Sequence, residues 1–260
     1  MAAGPRPLSI EEGRIQEGRP GLALMGVLTI PALAAEPALV HGFSTRALGS
    51  MRRPDQDSPP ITSARRAFAR ALDLDPERVT VAGAVHGAEV ARVDAWLPTV
   101  PGVDALITDR PRQPLLVTCA DCYAVVVLDP ARPALALVHA GWRGTAAGVV
   151  GEAVRALTAE YGSRPGDLVA GLGPGICGRC YEVGGEVARL FDRRFLRPSD
   201  RDEDRTLLDL AAANRAQLEG AGIHPGRIHE HGACTMETPE LPSHRRSPDG
   251  NRFACLAAIA

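Results

Sequence analysis

Two apolar runs, residues 124–128 and 134–138, separated only by Asp129-Pro-Ala-Arg-Pro133, constrain this chain more than any other stretch. That composition suits a tight connection, so the runs read as two strands of one hairpin. Antiparallel pairing about that turn sets residue 124 opposite roughly residue 139. Cys122, two positions earlier, then lies within side-chain reach of His139 at the hairpin's open end. The second strand leads into Gly141-Trp-Arg-Gly144. A thiolate and an imidazole converging beside such a loop suit a zinc site or a Cys–His nucleophile pair equally well.

The remaining pattern mixes strands and helices. Residues 63–74 carry Phe68, Ala71 and Leu72 on one helical face and arginines on the other, which predicts an amphipathic helix. A strand over 78–85 delivers His86-Gly87, and short strands are expected at 104–109 and 115–117, divided by Arg110-Pro-Arg-Gln-Pro114. Thr145 can cap a helix running to about Tyr161 with Val149, Val150, Val154 and Leu157 inward. Beyond it the pattern predicts a strand over 168–172, a Gly-rich loop over 173–180 and a helix over 183–195. A charged loop over 197–205, a helix over 207–219 bearing Asp209 and Asn214, and a strand over 253–259 complete the chain. Such interspersed elements suggest a mixed sheet covered by helices, and an open α/β sheet fits the pattern as well.

At 260 residues, 45% hydrophobic and 23% charged, the chain can bury a substantial core in one domain. A net charge of −2 offers no footprint for nucleic acid or an anionic membrane, and no segment reaches a membrane span, so small-molecule substrates are expected. Residues 1–24, of mixed charge and rich in Pro and Gly, read as a flexible extension before a domain at 25–260. The apolar run 21–35 imitates a signal peptide, but Glu11, Glu12 and Glu17 precede it and Pro31 interrupts it. An intact cytoplasmic chain is therefore expected. Six cysteines in a chain this long are no disulfide framework and fit a reducing compartment. Two Cys-x-x-Cys pairs, 119/122 and 177/180, lie too far apart in sequence for a compact zinc ribbon. His229 and His231, with Cys234 close behind, form a rival metal cluster, here read as a polar strand edge. The Gly-rich loop could cradle an anion, but it lacks a phosphate-binding fingerprint and reads as a turn.

Several tags together resemble the laccase-domain family, also called the multicopper polyphenol oxidase or purine nucleoside phosphorylase family. They are His41-Gly-Phe-Ser-Thr-Arg46, Val85-His-Gly87, Asp104-Ala-Leu-Ile-Thr-Asp109, Ala120-Asp-Cys122 and His139-Ala-Gly-Trp-Arg-Gly-Thr145. Gly173-Pro-Gly-Ile-Cys177, Cys180-Tyr-Glu-Val183, Asp209-Leu210 with Asn214, Cys234-Thr235 and Ser243-His-Arg-Arg246 continue the match. The resemblance implies an α+β fold, a single-domain layered sandwich with a mixed β-sheet flanked by helices. It implies zinc held by His86, Cys122 and His139, with copper as the rival metal, and purine nucleosides and phosphate as substrates. The implied reactions are phosphorolysis of adenosine, inosine, guanosine or methylthioadenosine, and deamination of adenosine. Asp121 becomes a candidate acid/base group beside the catalytic His86, Cys122 and His139. His41, Arg46, Arg143, Arg245 and Arg246 become candidates for holding substrate, the arginines because guanidinium forks match phosphate oxygens. A monomer or small homo-oligomer is expected. The chain departs from the family where loop 47–60 replaces a glycine-rich stretch, where Ala84 replaces a glutamine, and at His244, Gly250 and Asn251. Copper-dependent phenol oxidation, a Cys122–His139 amide hydrolase editing cell-wall precursors, and a zinc-stabilised binding module are the competing readings. Seven histidines are too few for a multicopper cluster.

Overall fold

In the computed structural model, which describes residues 26–52, 59 and 62–260, the chain opens with strand β1 (Val27–Leu28), one helical turn α1 (Pro31–Ala34) and strand β2 (Leu39–Ser44). Helix α2 (Ser63–Ala71) begins at a Thr62 hydroxyl that accepts the Arg65 N–H. Five strands follow: β3 (Thr80–Gly83), β4 (Val90–Arg92), β5 (Thr99–Pro101), β6 (Ala105–Thr108) and β7 (Leu115–Cys119). The hairpin is β8 (Tyr123–Asp129) and β9 (Ala134–Ala140), leading into helices α3 (Trp142–Ala146) and α4 (Val149–Tyr161). Next come β10 (Val169–Leu172), β11 (Glu182–Val183), the single turn α5 (Gly185–Ala188), β12 (Leu196–Pro198) and β13 (Thr206–Leu208). Helix α6 (Leu210–Gly220), β14 (Ile228–Glu230) and β15 (Phe253–Ile259) close the fold.

Two six-stranded mixed sheets, β1-β2-β15-β7-β3-β5 and β14-β10-β8-β9-β6-β4, form the body, beside a small sheet β11-β13-β12. Strand alternation stacks them. Leu115, Val117, Cys119, Phe253, Cys255 and Ala257 of the first sheet meet Ala124, Val126, Leu128, Leu135 and Leu137 of the second in one buried layer. The intervening Leu116, Ala254 and Leu256 point outward onto Phe68 and Ala69 of α2. Val125, Val127, Ala136 and Val138 point the other way, onto Val150, Val154 and Leu157 of α4 and Leu218 of α6. The result is the expected α+β layered sandwich, with two stacked sheets between helices rather than one.

The hairpin register pairs Ala124 with His139, as the turn predicts. Three local expectations change. Residues 183–195 form no long helix: Val183 pairs with Thr206 in the small sheet, and the Gly184-Gly185 pair leaves only one helical turn. Thr145 lies inside α3, and α4 starts instead after Gly148, whose φ of 86° breaks the chain direction. Arg65 is buried in α2, donating from Nε to the Met51 carbonyl, so not every arginine of that helix faces water. The run 21–35 becomes, where described, a two-residue strand and a helical turn. The expected extension at 1–24, and residues 53–58 and 60 of loop 47–60, lie outside the described residues. All six cysteines are free, and among the described residues no helix is long and apolar enough to cross a membrane.

Candidate active site

Where the two sheets meet, His86, Cys122 and His139 bring one donor atom each to within 4.8 Å of one another. Their positions follow from the strands. Cys122 immediately precedes β8, His139 sits next to last on β9, and His86 occupies the connection that carries the chain from β3 in one sheet to β4 in the other. His86 has a φ of 63°, a conformation a non-glycine residue keeps only when its surroundings hold it.

Asp104 does the holding. Its fully buried carboxylate accepts the backbone N–H groups of Val85 (3.0 Å), His86 (2.9 Å) and Gly87 (2.7 Å). The same carboxylate lies 2.8 Å from Nδ1 of His139, whose backbone N–H donates to the Asp104 carbonyl at 2.7 Å. One carboxylate thus fixes the His86 turn and the His139 ring together, and leaves Nε2 of His139 as its free donor atom. The rings of His86 and His139 meet edge to face, their centroids 4.9 Å apart.

Burial pushes the Cys122 thiol up, but the charge of His139 and hydrogen bonds from His139 and His86 outweigh it and bring the thiol down to about 6. Burial lowers His139, and the charges and hydrogen bonds of Cys122 and Asp104 reverse that and raise it to about 9. Each of the two groups thus favours the charged form of the other. For Asp104, burial raises the carboxyl and is outweighed by hydrogen bonds from His139, Gly87 and Val85, leaving it below its ordinary value. Two imidazoles and a thiolate are the donor types of a zinc site, and His86 is exposed, so one side stays open to a further ligand. Gly141 keeps that space clear. A Cβ there would stand 2.9 Å from the Cys122 sulfur and 3.0 Å from Cδ2 of His86.

Around this cluster the sequence-derived candidates divide. The guanidinium of Arg245 lies 5.1 Å from the Tyr181 ring centre and donates to the Glu182 carbonyl at 2.7 Å, while Arg143 stacks on Trp142 at 4.1 Å. Burial first, then the Cys122 charge, push the Tyr181 hydroxyl up to about 12, with Arg245 and Arg143 opposing. Asp121, at φ 84°, accepts from the Thr235 hydroxyl at 2.6 Å and from the Arg245 backbone N–H at 2.7 Å. Both its oxygens are engaged, one holding Thr235 and the other the 243–246 loop against the start of β8.

Three other candidates have partners elsewhere. Arg246 donates to the carbonyls of Thr235 (2.6 Å), Met236 (3.3 Å), Thr238 (3.0 Å) and Leu241, which spends its fork on backbone and leaves none for phosphate. Arg46 faces Asp249 at 3.8 Å across a half-exposed surface. His41 is buried on β2, where Nε2 accepts the Ile30 N–H at 3.0 Å.

Sequence reasoning missed Asp104 and Tyr181 as site residues. Both stand inside motifs singled out above, but nothing local distinguishes their roles. Of the Cys-x-x-Cys pair at 119/122, Cys119 is sealed in the inter-sheet core with its thiol held far above its ordinary value by burial, so the four-cysteine ribbon does not form. The Gly-rich loop is glycine-rich for packing: a Cβ on Gly175 would enter the Tyr123 ring at 2.5 Å. His231 stacks edge to face on Phe43, with centroids 6.2 Å apart, while Cys234 joins Cys177, Cys180 and Glu237 instead of the histidines.

The model of the multi-copper polyphenol oxidoreductase laccase family matches residues 41–259. A protein of Streptomyces coelicolor named purine nucleoside phosphorylase is 40% identical over 204 residues, covering 76% of this chain and 82% of that one. A Deinococcus radiodurans protein of the same name is 37% identical over 233 residues, covering 84% and 90%. The crystal structure of YlmD from Geobacillus stearothermophilus matches with a TM-score of 0.76 at 28% identity, over 94% of this chain and 98% of that one. With His86, Cys122 and His139 all inside the matched span, the chain belongs to the multi-copper polyphenol oxidoreductase laccase family.

Proposed function

We propose that this chain is a zinc-dependent purine nucleoside enzyme that cleaves adenosine, inosine, guanosine or methylthioadenosine with phosphate and deaminates adenosine. What carries the reading is the convergence of His86, Cys122 and His139 under one buried carboxylate, in a chain whose relatives bear the name purine nucleoside phosphorylase. Two neutral imidazoles and one thiolate would hold a divalent ion with net positive charge and an open position. When bound there, zinc supplies a Lewis acid for a substrate nitrogen or brings the pKa of a water down to ~7.

The protein's own groups account for the rest. Asp104 keeps the His139 ring oriented with Nδ1 turned away from the donor atoms, and Gly141 leaves room for substrate beside the thiolate. Phosphorolysis makes a bond from a phosphate oxygen to the ribose C1′ and breaks the bond to the purine nitrogen, so phosphate must be held against its own charge. Arg143 on Trp142 and Arg245 over Tyr181, whose charges both act on the Tyr181 hydroxyl, supply that positive rim. Deamination adds water at C6 and expels ammonia, and uses the same open position.

One second reading has an observation of its own. A thiolate at Cys122, an imidazolium at His139 and the Asp104 carboxylate behind it would also serve a thiol hydrolase acting on amides. Multicopper oxidation has no such support, because it needs many histidines and among the described residues the other donor cluster is rich in thiols. The test is to incubate zinc-loaded protein with adenosine, with and without phosphate, and to separate inosine, adenine and ribose 1-phosphate. Turnover that disappears in Cys122→Ala and is lost to a chelator and regained with zinc supports the purine reading. Cleavage of amides that survives chelation would replace it with the hydrolase.

A further inference from the structure

A second set of donors lies in loops that the proposed chemistry does not use. Cys177 and Cys180 follow β10, Cys234 and Glu237 follow β14, and their four ligand atoms also lie within 4.8 Å of one another. The two segments are matching turns. In one, the Cys177 carbonyl accepts the N–H groups of Cys180 (2.9 Å) and Tyr181 (3.1 Å); in the other, the Cys234 carbonyl accepts those of Glu237 (3.1 Å) and Thr238 (2.9 Å). Cys-x-x-Cys thus faces Cys-x-x-Glu. The two are clamped by backbone bonds from Gly175 to Ala233 (3.3 Å) and from Thr235 to Gly175 (3.0 Å).

Backbone donors converge on two of the sulfurs. The Cys177 N–H donates to the Cys234 sulfur at 3.3 Å, the N–H groups of Met236 and Glu237 also point at that sulfur, and the Arg179 N–H points at the Cys177 sulfur. Three sulfurs and a carboxylate packed this closely repel one another once ionised, and the nearby cation, Arg179, is engaged by Glu237 at 3.0 Å. That carboxylate faces both ways: Arg179 donates to its Oε2 at 3.0 Å and to its Oε1 at 3.3 Å, and Oε1 also accepts from the Cys180 thiol at 3.4 Å. It can keep the arginine and still offer one oxygen inward. Thiolate sulfur selects zinc over the hard cations, and four protein donors fill a tetrahedral shell, the arrangement of structural sites.

We propose that Cys177, Cys180, Cys234 and Glu237 form a closed, structural zinc site of three sulfurs and one oxygen, separate from the His86–Cys122–His139 cluster. Each bound thiol exchanges its proton for a sulfur–metal bond and releases that proton to solvent. The site pins the loop after β10 to the turn after β14. That turn carries Thr235, whose hydroxyl holds Asp121 next to Cys122, so the structural metal would steady the wall of the active site without touching substrate.

The experiment is metal analysis of the full chain, purified under reducing conditions, loaded with zinc and desalted. Two zinc per chain are expected in the unaltered protein, one in His86→Ala/Cys122→Ala, one in Cys177→Ser/Cys180→Ser, and none when all four substitutions are combined. Cobalt loaded into His86→Ala/Cys122→Ala should show strong thiolate-to-cobalt absorption. Glu237→Gln, a mild change that keeps all three sulfurs, should retain that absorption and weaken cobalt binding at least tenfold. A His86→Ala/Cys122→Ala protein with native circular dichroism and a full thiol titre, but neither zinc nor cobalt absorption, overturns the proposal. So does recovery of Cys177 and Cys180 as a disulfide that no reductant-handled preparation loads with metal.

Discussion

The two cysteine clusters sit at neighbouring ends of the same sheet and differ in almost every physical respect. His86, Cys122 and His139 are placed by strand ends and held by a buried carboxylate, whereas Cys177, Cys180, Cys234 and Glu237 are placed by two turns and held by backbone N–H groups. The first set offers two imidazoles, one of them exposed, and one sulfur; the second offers three sulfurs and a carboxylate, a full complement of four. A metal bound to few and mostly neutral ligands stays electrophilic and reachable, and one bound to three thiolates and a carboxylate does neither. The contrast teaches that a cysteine cluster is assigned to chemistry or to scaffolding by what holds it and what it leaves open, not by its spacing in sequence.

The sharpest way to break the contrast is to close the open cluster. Gly141→Ala places a methyl against the Cys122 sulfur and the His86 ring, at 2.9 and 3.0 Å before relaxation. Turnover should fall about a hundredfold or more while thermal unfolding and the zinc of the cysteine-rich cluster stay unchanged. An active Gly141→Ala enzyme would mean that the reaction does not use this space. Next in size is the brace. Asp104→Asn keeps an acceptor but loses the charge that holds His139, and should cost roughly 10–100-fold in zinc affinity or turnover. Titration of zinc into both proteins checks it, and equal affinities would make Asp104 a folding residue only.

How much of this contrast can be read without coordinates depends on distance along the chain. The hairpin and its 124-to-139 register are legible because one proline-rich turn and two apolar runs fix them locally; β15 is legible as another apolar run and α2 from its helical spacing. The segment at 183–195 is not, since its apolar residues look helical until Val183 finds β13 as a partner. Asp104 is silent in sequence because the three N–H groups and the imidazole it serves come from residues 85–87 and 139. The same holds for the cysteine-rich cluster. Its two halves are joined by a single pair of backbone bonds between Gly175 and the 233–235 strand end, a contact no spacing rule anticipates. Arginines read alike in sequence and separate only by partners: Arg246 is consumed by four carbonyls, while Arg245 gives one bond to the Glu182 carbonyl and lies over Tyr181.

The complementary perturbation opens the closed cluster. Cys177→Ser/Cys180→Ser should lower the unfolding midpoint by roughly 5–10 °C, the effect of losing a ligand present at about a hundred times its dissociation constant. Turnover per folded molecule at a temperature well below that midpoint should change little, because none of the four donors contacts substrate. Differential scanning measurements on zinc-loaded proteins decide it. A large loss of turnover with an unchanged midpoint would turn the assignments of the two clusters around.

His41 provides the finest test of the idea that partners, rather than burial, make a site. It and His139 are both buried histidines on β-strands, yet they shift in opposite directions. His139 has a thiolate and a carboxylate for company. His41 has only a backbone N–H donating to its Nε2, an arrangement that requires the neutral ring, and burial followed by the charge of His231 lowers it from 6.5 to about 4. The sign follows directly. Between those two values the unfolded chain binds a proton that the folded chain refuses, so stability is fully present above pH 6.5 and is lost as pH falls toward 4. Between pH 7 and pH 5 the loss amounts to roughly 2 kcal/mol. His41→Gln can still accept from the Ile30 N–H but does not titrate, so its denaturant midpoint should fall less over that interval than that of the unaltered protein. Because the other titrating groups are common to both proteins, the difference between the two slopes belongs to His41. Parallel slopes would mean that His41 takes up its proton in the folded state without penalty, and that burial beside a backbone donor does not keep an imidazole neutral here.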